Sequence, residues 1–219
     1  MLSLDMNTSG VNTMTDIETG EWIEDGEAEF VGLDIVRSDR ADITRSLSKT
    51  VLDTILRVDD REKAREKVYD EISSTVDDIH DGELSRRKIA RPKGMSQSPR
   101  EYGSVDKTPQ PTYRGAKYAN KHFDWEQLGE GSKPGLLYID RVGGSWPAQY
   151  DADTAEDGDT VDAIAIEQPS KVPDEFTVDT DKQVEKVLQD PLDPILKAMR
   201  WSFEDAMLDT SQADITKFM

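Results

Sequence analysis

From Ile43 to Val76 the apolar residues return every four positions, and this spacing narrows what the chain can fold into more than anything else in it. Ile43, Leu47, Val51 and Ile55 make one stripe, and Ala64, Val68, Ile72 and Val76 make a second. A four-residue repeat is the mark of an amphipathic helix with one face against a core. Asp39 or Asp42 stands where the first helix needs a cap, and Gly82 ends the pair. A chain with such faces has to bury them.

That requirement settles what the charge means. The chain carries 46 acidic and 27 basic side chains, a net charge of −19 in 219 residues, and Asp outnumbers Glu by 29 to 17. Such acidity suits either a disordered chain or a folded one whose surface works in molar salt. At 1 M salt the Debye length falls to about 3 Å, so self-repulsion is screened. The helical stripes favour the folded, halophilic reading. The length suits one domain, or one domain with tails, and could bury about 70% of the extended-chain surface. No cysteine is present and only two histidines, which excludes a disulfide scaffold, a thiolate zinc site, a thiol nucleophile and a His-rich metal site. No apolar run approaches the ~20 residues of a membrane span, and no signal-peptide core opens the sequence. The expectation is a soluble, cytoplasmic protein.

The remaining patterns are mixed. Residues 1–27 read as a loose tail, polar and without period through residue 20. Phe30 to Arg37 alternates like a strand. Between residues 85 and 115, Pro92, Pro99, Pro109 and Pro111 with Gly94, Gly103 and Gly115 predict extended or loop backbone. Ala116–Phe123 reads as a short helix, and Pro134–Val142 and Val161–Ile166 as strands, with an acidic loop from Asp151 to Asp159 between them. Asp181 or Thr180 starts a helix carrying Val184, Val187 and Leu188. Pro191 and Pro194 interrupt it before a second helix carrying Ile195, Leu196 and Met199. The order predicts an α+β fold.

The charge is also uneven. Ten basic residues fall between Ser85 and His122: Arg86, Arg87, Lys88, Arg91, Lys93, Arg100, Lys107, Arg114, Lys117 and Lys121. Only Glu101 and Asp106 oppose them, a local excess of +8 in a chain that is −27 elsewhere. A cationic island kept in so acidic a chain points to a polyanion partner. Tyr102, Tyr113 and Tyr118 interleave with it and suit either sugar–phosphate contact or a core. The competing reading is a domain whose basic stretch is only structural.

Other chemistry is poorly supported. Asp151, Asp153 and Asp162 fall at positions of a calcium loop, but Glu156 stands where glycine is needed and Ala155 offers no ligand oxygen. Gly143-Gly144 reads as a turn, and His80 and His122 as surface residues.

The last residues, Gln212-Ala-Asp-Ile215-Thr-Lys-Phe218-Met219, space a glutamine and three apolar groups at i, i+3, i+6 and i+7. On a 3₁₀ turn these make an apolar plug. Such plugs dock replication proteins on the sliding clamp (PCNA), and Met219 departs from the motif where a second aromatic is usual.

Several segments together are similar to the end of the palm and the thumb of family B DNA polymerases. Phe30-Val-Gly-Leu-Asp-Ile-Val-Arg-Ser-Asp39 resembles their Lys-Gly-Leu-Glu-Ile-Val-Arg-Arg-Asp segment, and Val51-Leu-Asp-Thr-Ile-Leu56 their opening thumb helix. Met95-Ser-Gln-Ser-Pro-Arg-Glu-Tyr102 is similar to Leu-Thr-Lys-Pro-Leu-Glu-Glu-Tyr. Pro111-Thr-Tyr-Arg-Gly-Ala-Lys117 resembles the next block, and Gly135-Leu-Leu-Tyr-Ile139 the strand after it.

The resemblance covers residues 28–219 and implies a loose tail (1–27), a palm-remnant strand (28–41), a thumb (42–207) and a clamp-binding tail (208–219). It adds Ser96 and Gln97 to the ten cations and Tyr102 as duplex contacts. Gln212, Ile215, Phe218 and Met219 become the clamp contacts. Gln97 stands where the family often has lysine and Arg114 where it has a small apolar residue, which shifts the expected phosphate contacts toward Arg114. Composition points to the haloarchaeal branch.

The family's two-metal chemistry needs palm aspartates in Asp-x-x-Ser-Leu-Tyr-Pro and Tyr-Gly-Asp-Thr-Asp motifs. Neither is in this sequence. The exonuclease carboxylates and the Lys-Lys-Arg-Tyr block are absent as well. The resemblance therefore implies the thumb-containing C-terminal part of a nucleotidyltransferase. It would bind primer–template DNA and the clamp, hold no catalytic residue or metal, and need Mg²⁺ only in the complete polymerase; a split gene with the palm on a separate chain, a degenerate remnant and an incomplete gene model all fit the resemblance. A non-catalytic clamp- and DNA-binding accessory derived from such a thumb is the alternative.

Overall fold

The computed structural model describes residues 37–101, 110–147, 149 and 159–208. The loose tail, the strand expected at 30–37 apart from Arg37, Tyr102, Lys107, the acidic stretch 151–158 and the clamp-type tail at Gln212–Met219 lie outside these residues. The chain divides into two compact units, Ile79–Val187 and the remainder on either side of it, so the range 42–207 takes in both. The class is α+β, with six named helices and a small antiparallel sheet. Among the described residues no helix is long and apolar enough to cross a membrane.

The flanking unit is helical. Helix α1 spans Asp42–Arg57 and buries Thr44, Leu47, Ser48, Val51 and Leu52. Ile43 and Ile55, the ends of the expected stripe, are only half-buried. At 3.6 residues per turn a strict four-residue repeat drifts around the helix, so its ends leave the buried face. Neither expected cap forms. Ala41 is the N-cap without a side-chain bond, Asp42 sits in the first turn near the positive end of the helix dipole, and Asp39 pairs with Arg37. Helix α2 (Arg61–His80) keeps Ala64, Val68, Ile72 and Val76 buried. Its face is widened by Tyr69 and Ser73, so the drift is absorbed. Gly82 closes it with φ +74°.

The last named helix of this unit contradicts the expected break. Beyond helix α5 (Thr180–Val184) a π turn, Glu185–Gln189, leads into helix α6 (Asp190–Ala198). Pro191 then falls in the first turn of α6, where a missing N–H costs nothing, and Pro194 is carried inside the helix. Proline therefore resets the ladder rather than ending it. Helix α6 finishes with Arg200 at φ 59° and the Trp201 N–H on Leu196 O at 2.8 Å, a left-handed cap built without glycine. Trp201 then meets Tyr69 edge-on at 6.4 Å.

The central unit is built on a sheet. Helix α3 (Arg86–Ile89) and strand β1 (Arg91–Pro92) precede helix α4 (Pro111–His122), strand β2 (Gly135–Val142), strand β3 (Ala163–Ile166), a 3₁₀ turn (Pro169–Lys171), strand β4 (Phe176–Val178) and α5. The named strands all pair antiparallel: β2 takes β3 on one edge, with Leu137 opposite Ile164, and β1 and β4 on the other, while an isolated parallel bridge joins Gln149 to Val161. The expected strands at 134–142 and 161–166 are thus present. Helix α4 begins five residues before the expected Ala116, because Pro111 occupies its first turn, where proline is favoured. Gly115 is not a breaker. A Cβ there would lie 2.5 Å from Ala163 O and 2.6 Å from Ala165 N, so glycine is what lets α4 lie directly on β3.

On the outer edge of β2, β1 covers residues 135–136 and β4 covers 139–142. Tyr138 lies in the gap. Its N–H donates to Gln183 Oε1 at 3.0 Å, and its carbonyl accepts from Asp179 N at 3.0 Å. A side chain from α5 thus completes the sheet where strand pairing stops. Gln183 is fully buried and its Nε2 also donates to Ile89 O at 2.6 Å, tying α3 to the same edge.

Candidate nucleic-acid interface

The α3–β1 segment is held from inside. Ile89 and Ala90 are buried. The Arg86 guanidinium points inward and donates to the carbonyls of Val172, Pro173 and Phe176, the last at 2.9 Å. This arginine caps loop carbonyls and has little left to offer a ligand. Next to it, Arg87 and Lys88 are exposed, and no ion pair holds either among the described residues.

Arg91 and Lys93 follow, both half-buried, and the main chain continues pairing past β1: Lys93 N donates to Pro134 O and Met95 N to Ser132 O, each at 2.9 Å. Met95 is buried, and the turn after it leaves Ser96, Gln97 and Arg100 exposed. The Arg100 N–H is turned onto Ser98 Oγ. Residues 87–100 therefore present Arg87, Lys88, Lys93, Ser96, Gln97 and Arg100 from one run of chain along the β1 edge.

The cations of α4 are placed differently. Arg114 makes a two-pronged pair with Asp162, Nε to Oδ1 at 3.0 Å and Nη2 to Oδ2 at 2.6 Å, and its side chain is only 10% exposed. The role expected for it, as the residue taking over phosphate contacts, meets a guanidinium already occupied by a carboxylate. Lys121 pairs with Asp159, and Lys117 is half-buried and engaged. Tyr113 and Tyr118 are core residues, 5% and 0% exposed, because they lie on the inner face of α4. Of the expected site, then, the fold groups 87–100, sets Arg86 and Arg114 in part-buried contacts and pairs Lys121 with Asp159 at the surface.

The fold also supplies cations that the sequence reading passed over. Lys182 and Lys186 both contact Glu185, and their hydrogen bonds, Lys182 first, hold its carboxyl below the usual range. The phenol of Tyr138 is pushed up by burial, with Lys186, Arg91 and Lys182 pulling it back and Glu185 adding to the rise. Their four-residue spacing on a helix was the available signal, submerged in a chain where most charges are acidic. Among the described residues no group of three or more His, Asp or Glu is placed to hold a metal ion.

No family model and no curated protein sequence matches the chain. Among solved structures it is similar to the family B DNA polymerase from the hyperthermophilic archaeon Pyrobaculum calidifontis. The TM-score is 0.51 at 18% identity over 77% of this chain. The chain spans 19% of that polymerase's length, and at this identity the likeness is one of fold.

Proposed function

We propose that the chain is the thumb part of a family B DNA-directed DNA polymerase of haloarchaeal type, gripping primer–template duplex through its phosphates. The fold likeness to a polymerase over 77% of the chain carries the reading. The exposed cations of 87–100 support it. Grip of this kind needs positive charge and backbone donors on one edge and little base readout.

High salt sets the problem such a thumb must solve. With ~5 phosphate contacts, log affinity falls by about 4.5 per decade of salt. Tethering through the Gln212–Met219 plug to a sliding clamp would convert rebinding into an intramolecular event at roughly millimolar effective concentration. With no palm aspartate motif in this sequence, nucleotide transfer would require palm residues that these 219 residues do not carry.

The test is duplex binding by the full chain across a salt series, read by fluorescence anisotropy. Arg87→Glu with Lys88→Glu should weaken binding by more than tenfold and flatten the salt slope by about 2. Phe218→Ala should abolish clamp capture and leave duplex binding unchanged. Duplex binding that survives the charge reversal, or primer extension by the chain alone, would overturn the reading.

A further inference from the structure

Resting on the duplex-gripping reading, we infer that Lys182 and Lys186, with Arg91, form a phosphate subsite at the β2 edge in which the Glu185 carboxylate holds the place of a backbone phosphate. The carboxylate sits between two ammonium groups. Lys182 Nζ lies 2.5 Å from Glu185 Oε2 and Lys186 Nζ 2.6 Å from Oε1, so each oxygen has its own ammonium. A phosphodiester presents two non-bridging oxygens in much the same way, and ammonium–oxyanion bonds of this kind are the stronger class of hydrogen bond.

The three cations come together from two distant parts of the chain. Lys182 and Lys186 are four residues apart, on one side of the helical segment. Arg91 is far from them in sequence and stands opposite Leu136 in the β1–β2 register. Two residues along the same face of β2 is Tyr138, whose main chain is bound to α5 through Gln183 and Asp179. Gln183 also holds Ile89, next to β1, through its Nε2. One buried amide therefore clamps the α3–β1 segment and α5 to a single stretch of β2. The charges of Lys186, Arg91 and Lys182 all reach the Tyr138 hydroxyl, which could donate to a phosphate oxygen.

The site is open to solvent. Lys182 and Glu185 are 42% and 36% exposed at their side chains, so an anion from solvent can reach them. Two lysines and an arginine gather at one phenol in a chain of net −19. Glu185 would keep the lysines ordered and set a threshold that only a closely placed phosphate displaces.

Two measurements on the full chain test this. In duplex binding across a salt series, Glu185→Gln should tighten binding by about fivefold. Lys182→Ala with Lys186→Ala should weaken it and reduce the salt slope by about 0.9, the share of one phosphate. All three positions are solvent-accessible, and far-ultraviolet circular dichroism checks that the variants fold. If these variants bind like the parent while the Arg87/Lys88 reversal weakens binding, the subsite is overturned and the duplex reading stands. If the parent does not bind duplex, that reading fails. Titration with inorganic phosphate, followed at the Lys182, Lys186 and Tyr138 amide resonances, then decides the subsite. Shifts lost in the double lysine variant support it, and their absence overturns it.

Discussion

Arg87 and Lys88 on α3, and Arg114 and Lys121 on α4, belong to one cationic stretch of sequence and carry the same charge, yet the fold treats them in opposite ways. Helix α4 lies on β3, and the chain entering β3 supplies Asp162 and Asp159 as partners for Arg114 and Lys121. Helix α3 faces the 172–176 segment, which offers carbonyls to Arg86, while among the described residues its carboxylates, Asp174 and Glu175, form no ion pair with Arg87 or Lys88. A net excess counted along the chain overstates the charge available to a ligand, because ions can be neutralised by segments far away in sequence. The electrostatic grip expected of the island should come from its α3–β1 end.

The largest effect that could break this contrast is at Gly115. An added methyl would meet Ala163 O, Ala165 N and Ile164 C at 2.5–2.9 Å, all main-chain atoms of the strand beneath. Main chain cannot swing aside as a side chain can, so Gly115→Ala should cost at least ~3 kcal/mol in chemical denaturation. It should also lift α4 off β3 and separate Arg114 from Asp162, raising hydrogen exchange in α4 and β3 first. A variant unfolding at the parent's midpoint would show that the close approach is absent, and with it the reason α4 cations are neutralised.

A smaller effect sharpens the comparison residue by residue. Arg86→Ala leaves the carbonyls of Val172, Pro173 and Phe176 without their donor, and Arg114→Ala leaves Asp162 without its partner; each should cost about 2 kcal/mol. Arg87→Ala, one residue from Arg86, should change stability by less than about 0.5 kcal/mol while weakening duplex binding. Equal destabilisation at 86 and 87 would erase the inside–outside distinction on α3.

The sequence carried the helical faces well because burial there follows a local period: Val68, Ile72 and Val76 are buried as the spacing requires. Strand β2 was equally legible as a short apolar run between turns. Prolines and glycines misled where their role depends on tertiary position. Pro111 and Pro191 start helices, and Gly115 is demanded by a strand almost fifty residues further on. The candidate interface was legible as charge and illegible as geometry. Which arginine turns inward is decided by Asp162 or by the Phe176 carbonyl, and neither is near its partner in sequence. Gln183, which closes the gap in the β2 edge, carried no local signal at all.

The smallest effect lies on the inner face of α4. Tyr118 is fully buried, packs edge-on against Phe123 and Phe176, and its hydroxyl has no hydrogen-bond partner among the described residues. Burial pushes its phenol from 10.0 up to about 12. A raised phenol favours the folded state in full below pH 10. As pH rises toward 12 the unfolded phenol ionises first, and that advantage, on the order of 3 kcal/mol, is lost. Tyr118→Phe removes the unpaired oxygen and keeps the ring, so near pH 7 it should be neutral or stabilising by about 1 kcal/mol. Its stability should also fall less steeply than the parent's between pH 10 and 12. A clear loss at neutral pH would mean that the hydroxyl has a partner, and that the inner face of α4 carries polar chemistry as its outer face does.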